Sequence, residues 1–140
     1  MKHSNRYRLS GIDLLDTLDN WDILMNFRVR LIACGGTALT LLNIKDSTKD
    51  IDFIVPEANE YDRLMKFLKT LNYRDQGNGL AHEDDPNFIY QFWCGNKVFT
   101  KDLLDSPLEA GKHILVKRWS HIYLGALNLI DLIKSFLNRF

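Results

Sequence analysis

The sequence predicts an α/β (α+β) domain. Three observations carry that expectation: amphipathic helical spacing near both ends, a strand-like run that stops at a diglycine and leads into a short helix, and later runs biased to aromatic and β-branched residues. At 140 residues the chain has the length of one domain, and chains of that size bury roughly two thirds of their unfolded surface. Hydrophobic residues at 46% and charged residues at 26% exclude a disordered, collagen-like or disulfide-stapled chain. No internal repeat or low-complexity linker interrupts it, so residues 1–140 read as a single domain.

Ser10, with Asp13 three residues on, forms a capping-box-like start, and Leu14, Leu18, Trp21 and Met25 recur at helical spacing to about Phe27. Val29 to Cys34 is short, apolar and partly β-branched; it ends at Gly35-Gly36, and Thr37 to Asn43 suits a short helix. Asp50 to Val55 alternates charged and apolar positions before Pro56, the pattern of a strand with two unlike faces. A helix from about Ala58 carries Tyr61, Leu64, Met65, Leu68 and Leu71 on one stripe.

Gln76 to Pro86 is rich in turn formers and acids and reads as a loop with a short edge strand at most. Asn87 to Cys94 has strand bias, Gly95-Asn96 suits a hairpin turn, and Lys97 to Thr100 is the expected returning partner. Ile114 to Lys117 is a candidate edge strand. Ile122, Ala126, Leu129, Ile133, Phe136 and Phe140 then predict a last helix, with Asn128, Asp131, Ser135 and Asn138 on its other face. That helix reaches the last residue without a stop signal, so two readings stay open: the chain is the first part of a longer protein, or the helix docks on a partner, as in a dimer.

Eighteen basic residues balance eighteen acidic ones, which removes the simplest argument for a non-specific nucleic-acid binder. Cys34 and Cys94 lack a Cys-x-x-Cys or zinc-type spacing to His3, His82, His113 or His121 and read as reduced, buried thiols. The basic N-terminus lacks the apolar core of a secretory signal, and the uncharged run Ile122–Ile130 is far short of the roughly 20 residues that span a bilayer. A cytoplasmic protein without a membrane partner is the expectation.

The chemistry concentrates in Gly35-Gly36-Thr37 and Asp50-Ile51-Asp52. Acids at i and i+2 on a strand point to one face about 6 to 7 Å apart, within reach of one hard divalent cation. A diglycine that ends a strand and opens a helix lets backbone approach a ligand closely, and the helix-start N–H groups with the Thr37 hydroxyl suit a phosphate. Alone, the diglycine is a tight turn and the acid pair a solvated strand edge. Together they suggest a metal-bound nucleoside triphosphate.

Gly35-Gly36-Thr37-Ala38-Leu39 and Thr48-Lys49-Asp50-Ile51-Asp52 resemble the nucleotidyltransferase superfamily of the DNA polymerase beta type, most closely its small prokaryotic AbiEii-like branch associated with toxin–antitoxin systems. The resemblance covers about residues 10 to 136, with a weaker match at Leu129–Ser135. It implies a mixed β-sheet flanked by helices and transfer of a nucleoside monophosphate from a nucleoside triphosphate to an acceptor hydroxyl. It also implies Mg²⁺ or Mn²⁺ on Asp50 and Asp52, with phosphates on Gly35, Gly36 and Thr37.

Two departures stand out. The family's third carboxylate lies in an apolar-Asp-apolar pattern on a later strand, and Tyr90-Gln91-Phe92 offers Gln91, an amide oxygen without charge. Asp102, Asp105 or an acid of Glu83-Asp84-Asp85 are alternatives that no spacing selects. Asp46 stands where close relatives carry an arginine, leaving Lys45 and Lys49 as substitutes.

Phe88, Tyr90, Phe92 and Trp93 are core material or a base-stacking surface, and Lys112, Lys117, Arg118 and Lys134 are solvated cations or the edge of a nucleotide or RNA site. Three functions compete. The first is a nucleotidyltransferase acting on a macromolecular acceptor, an RNA such as a tRNA end or a protein. The second is a catalytically silent nucleotide- or partner-binding module of toxin–antitoxin type. The third is a nucleotide-sugar glycosyltransferase, which the diglycine so close upstream disfavours.

Overall fold

A computed structural model of the chain describes residues 8–95, 97–98, 108–109 and 112–128. Ser10 caps the first helix, α1 (Gly11–Leu24), through a capping box in which its hydroxyl accepts from the Asp13 N–H and the Asp13 carboxylate accepts from its own. The helix stops three residues before Phe27, yet Met25 and Phe27 stay in the core. A two-residue strand before it, β1 (Leu9–Ser10), pairs with β3 (Ser47–Thr48) and pins the chain start to the segment that precedes the acid pair.

The remaining elements are β2 (Val29–Ala33), α2 (Gly35–Leu41), β4 (Ile51–Val55), α3 (Ala58–Thr70), β5 (Tyr73–Gln76), β6 (Gly79–His82), β7 (Tyr90–Cys94), β8 (Lys97–Val98), β9 (Leu108–Glu109), β10 (His113–Arg118) and β11 (Ile122–Leu127). Seven strands form one mixed sheet in the order β10-β11-β2-β4-β7-β6-β5. At its centre β4 runs antiparallel to β2, with Ala33 opposite Phe53, and parallel to β7, with Asp52 opposite Gln91. The parallel pair is reached by a crossover through α3 and the β5–β6 hairpin, as parallel neighbours require.

Alternation along β4 sorts the two faces of the sheet. Ile51, Phe53 and Val55 are buried on the side where α1 packs: the Phe53 ring stacks on Phe92 with centroids 5.9 Å apart, and Trp21 lies 5.5 Å from Tyr90 and 6.5 Å from Phe92. Leu64 and Leu68 of α3 are fully buried in the same cluster, and Phe27 meets Phe67 edge-on at 5.7 Å. Asp52, between Ile51 and Phe53, points to the opposite side.

The later chain departs from the sequence expectation at three places. The run from Ile122, expected to begin the last helix, is strand β11; Ile122, Leu124 and Ala126 alternate into the core while β11 lies parallel to β2 and antiparallel to β10. A strand buried on both faces reads as a continuous apolar run, which helical spacing also fits. Gly125 explains its composition, since a Cβ there would meet the His113 ring at 2.6 Å and Ile32 at 3.1 Å. Lys97–Val98 pairs with Leu108–Glu109 instead of returning on β7. The short strand allowed for in the middle of the expected loop at 76–86 is β6, but it lies inside the sheet between β7 and β5, joined to β5 by a turn at Gly77-Asn78, rather than at the edge. Residues 129–140, where the docking helix was expected, lie outside the described residues, as do His3, Asp102, Asp105, Asp131 and Lys134. Among the described residues no helix is long and apolar enough to cross a membrane.

Asp22, on α1, does a job its sequence position gave no sign of. It is buried, and its Oδ1 accepts from the backbone N–H groups of His121 (2.7 Å) and Ile122 (3.0 Å), tying the helix to the start of β11. Replacing it by alanine would leave two donors of a packed strand without an acceptor. Asp22→Ala is therefore expected to cost about 2–4 kcal/mol, and Asp22→Asn clearly less, in urea unfolding followed by circular dichroism.

Candidate functional site

The backbone frame is built where β2 hands over to α2. Cys34 N–H donates to the Asp52 carbonyl at 3.1 Å, and Gly35 follows with φ +55°, a left-handed conformation that glycine adopts without cost. A Cβ at Gly36 would sit 3.1 Å from Thr48 Oγ1 and 3.4 Å from Lys45 Nζ, a tight fit that would require those side chains to shift by a few tenths of an ångström. Of the two candidate lysines, Lys45 is the one that approaches the diglycine; Lys49 is exposed next to Asp50.

Thr37 has a different job from the expected phosphate contact. Its side chain is fully buried, and its hydroxyl accepts from the Asp52 N–H at 2.9 Å while lying 3.2 Å from the Asp50 carbonyl, to which it donates. Thr48, also buried, donates to the same carbonyl at 2.8 Å. The two hydroxyls fix the backbone between the acids against the diglycine corner. Thr37 and Thr48 thus hold the backbone that carries the acids, through partners set by the fold that leave no signature in the sequence.

Asp52 is the electrostatically unusual member. Its Oδ1 is buried with no hydrogen-bond partner among the described residues, and its Oδ2 lies 3.7 Å from where a Gly35 Cβ would stand. Burial first, and the neighbouring Asp50 charge second, push its carboxyl up to about 6. Asp50, just before β4, is exposed. Gln91 is half-buried and stands directly opposite Asp52 on the neighbouring strand, on the same sheet face. Three oxygen-bearing side chains therefore share this patch of sheet beside the diglycine.

The donors fit a hard cation: two carboxylates, one of them with an unpartnered buried oxygen, and an amide oxygen in register. Among the described residues no three His, Cys, Asp or Glu side chains form a metal-holding group, and Gln91 is the oxygen donor that stands in register with Asp52. Glu83 and Asp84 are exposed. Asp84 and Asp85 line a cavity of about 510 Å³ with Trp21, Tyr73 and Tyr90, on the helix-covered side and away from Asp52.

The remaining candidates fall elsewhere. Cys34 is buried, and burial together with the Asp52 charge pushes its thiol up, so it stays protonated; Cys94, expected to be buried, is exposed. His113 and His121 belong to the β10–β11 end, where His113 lies 2.7 Å from the Tyr123 hydroxyl, and His82 stands over the Tyr73 ring. Lys117 and Arg118 lie over the Trp119 and Tyr123 rings, and Lys112 is exposed. Comparison with family models, curated proteins and solved structures finds no match for the chain.

The raised Asp52 carboxyl makes a stability prediction whose sign is fixed. Its folded value near 6 exceeds the ordinary 3.8, so the stabilisation from protonating it is complete below about pH 4 and lost as pH rises to about 6; above that the charge is a cost. Asp52→Asn is expected to stabilise the protein at pH 8 by about 1–3 kcal/mol and to flatten the pH dependence between pH 4 and 6. Thermal melts across that range check it, and a variant less stable than wild type at pH 8 contradicts it.

Proposed function

We propose that the chain is a nucleotidyltransferase with a fold of the DNA polymerase beta type, akin to the AbiEii-like branch. It would transfer a nucleoside monophosphate from a nucleoside triphosphate to a hydroxyl of a macromolecular acceptor, an RNA such as a tRNA end or a protein partner. The observation that carries this reading is one patch of sheet: Asp52 lies between the Gly35-Gly36 corner on one side and Gln91 on the other, with Asp50 beside it.

In this reading Asp50 and Asp52 hold Mg²⁺ or Mn²⁺, and Gln91 offers an amide oxygen as a third donor. The bound cation would offset phosphate charge and lower the pKa of an attacking hydroxyl. The corner at Gly35 and Gly36 admits the phosphates near backbone, and Lys45, with Lys49 further out, supplies positive charge. Thr37 and Thr48 keep the acids aligned with that corner. During transfer the acceptor hydroxyl gives up its proton to solvent and its oxygen bonds to the α-phosphorus while the α–β phosphoanhydride bond breaks, and pyrophosphate leaves with the electron pair.

Gln91 itself favours a second reading. It leaves two negative charges at a patch where the resembled family has three, and a missing ligand commonly weakens metal chemistry by orders of magnitude. In that case the chain binds nucleotide without turning it over and acts as a regulatory module of toxin–antitoxin type.

Transfer of label from α-³²P nucleoside triphosphates into cellular RNA and protein separates the two. The leading reading expects transfer by wild type, lowered about 100-fold or more in Asp52→Asn. Equal signals from both defeat it. Transfer that appears only after Gln91→Asp leaves the second reading standing.

A further inference from the structure

We infer that Trp93 is the stacking platform for the base of the bound nucleotide, an assignment that rests on the nucleotide-binding reading above. Trp93 lies two residues beyond Gln91 on β7, so it projects from the same sheet face as Gln91 and Asp52. Its neighbours go the other way: Phe92 stacks on Phe53 and Tyr90 packs against Trp21, both on the helix-covered side. Trp93 is 38% exposed, whereas Phe53, Phe88 and Tyr90 are buried.

The order of strands gives the direction in which a nucleotide would lie. The diglycine corner belongs to the β2 side of β4, the acids to β4, and Trp93 to β7 on the far side. Strand spacing and rise put the Trp93 backbone about 8 Å from that of Asp52, one strand across and two residues along. A phosphate chain starting at the corner and crossing the acids therefore brings the ribose and base toward β7. The indole offers a half-open apolar face there and no hydrogen-bond pattern that reads one base. The platform thus takes any nucleobase, purines more strongly because they present the larger ring.

An aromatic residue on a strand is ordinarily core, and only the register of β7 against β4 shows which of Phe92 and Trp93 faces the acids.

Binding of two probes to wild type, Trp93→Ala and Trp93→Leu, each with Mg²⁺, tests the assignment by calorimetry: a non-hydrolysable ATP analogue, and inorganic tripolyphosphate, which has no base. Trp93→Ala should weaken the analogue about tenfold or more and leave tripolyphosphate within about twofold. Trp93→Leu keeps an apolar cover without a π face and should weaken the analogue by a similar factor; its thermal melt guards against a folding artefact. Unchanged analogue binding in both variants, or equal loss of both probes, overturns the stacking role. If wild type binds neither probe, or Asp52→Asn binds both as well as wild type does, the nucleotide reading itself fails and the platform falls with it.

Discussion

A half-buried carboxylate, one of whose oxygens no described residue satisfies, is the constraint on which the rest depends. Asp52 sits in the middle strand of the sheet, with Ile51 and Phe53 fully buried on either side of it in the chain and one oxygen lacking a donor among the described residues. A buried charge that is neither paired nor hydrogen-bonded lowers stability, and here a second acid adds to the cost. Natural folds hold such strain at functional sites, where a ligand supplies the missing partner. A divalent cation is the partner whose chemistry two adjacent carboxylates match.

The scaffold is arranged to hold that strained spot still. Phe53, Phe92, Tyr90 and Trp21 form a continuous aromatic layer directly behind Asp52 and Gln91, and on the acids' own face Ile32 and Ile54 are fully buried, so the strands around Asp52 are anchored by packing on both faces. From the β2 side, the Thr37 hydroxyl holds the backbone of both acids at once. Asp22 anchors α1 to the start of β11 and thereby fixes the helix that supports the aromatic layer. Burial and the hydrogen bonds of Thr37 and Cys34 thus converge on β4 around Asp52.

Local pattern made much of this legible. The capping box at Ser10, the diglycine stop after Val29–Ala33, and the alternation through Ile51–Val55 each have a physical signature within a few residues, and the structure forms these elements within one to three residues of where the sequence puts them. What was illegible depends on tertiary pairing. Ile122–Leu127 satisfies helical and strand spacing alike, and only its position between β2 and β10 makes it a strand. At the site, the spacing of the acids and the diglycine was visible. The burial of Thr37, the approach of Lys45 to Gly36 and the exposed side of Trp93 were not, because each is set by which strand lies next to which.

Paramagnetic Mn²⁺, added in steps while backbone amides are followed by NMR, tests the central claim most directly, because broadening reports distance from the ion whether or not any chemistry follows. The amides of Asp50, Asp52, Gln91 and the Gly35-Gly36 corner should broaden first, and Asp52→Asn should abolish that selectivity. Broadening centred instead on the Glu83–Asp85 turn, or spread evenly over exposed acids, would show that the unpartnered carboxylate is no cation site and would contradict the account.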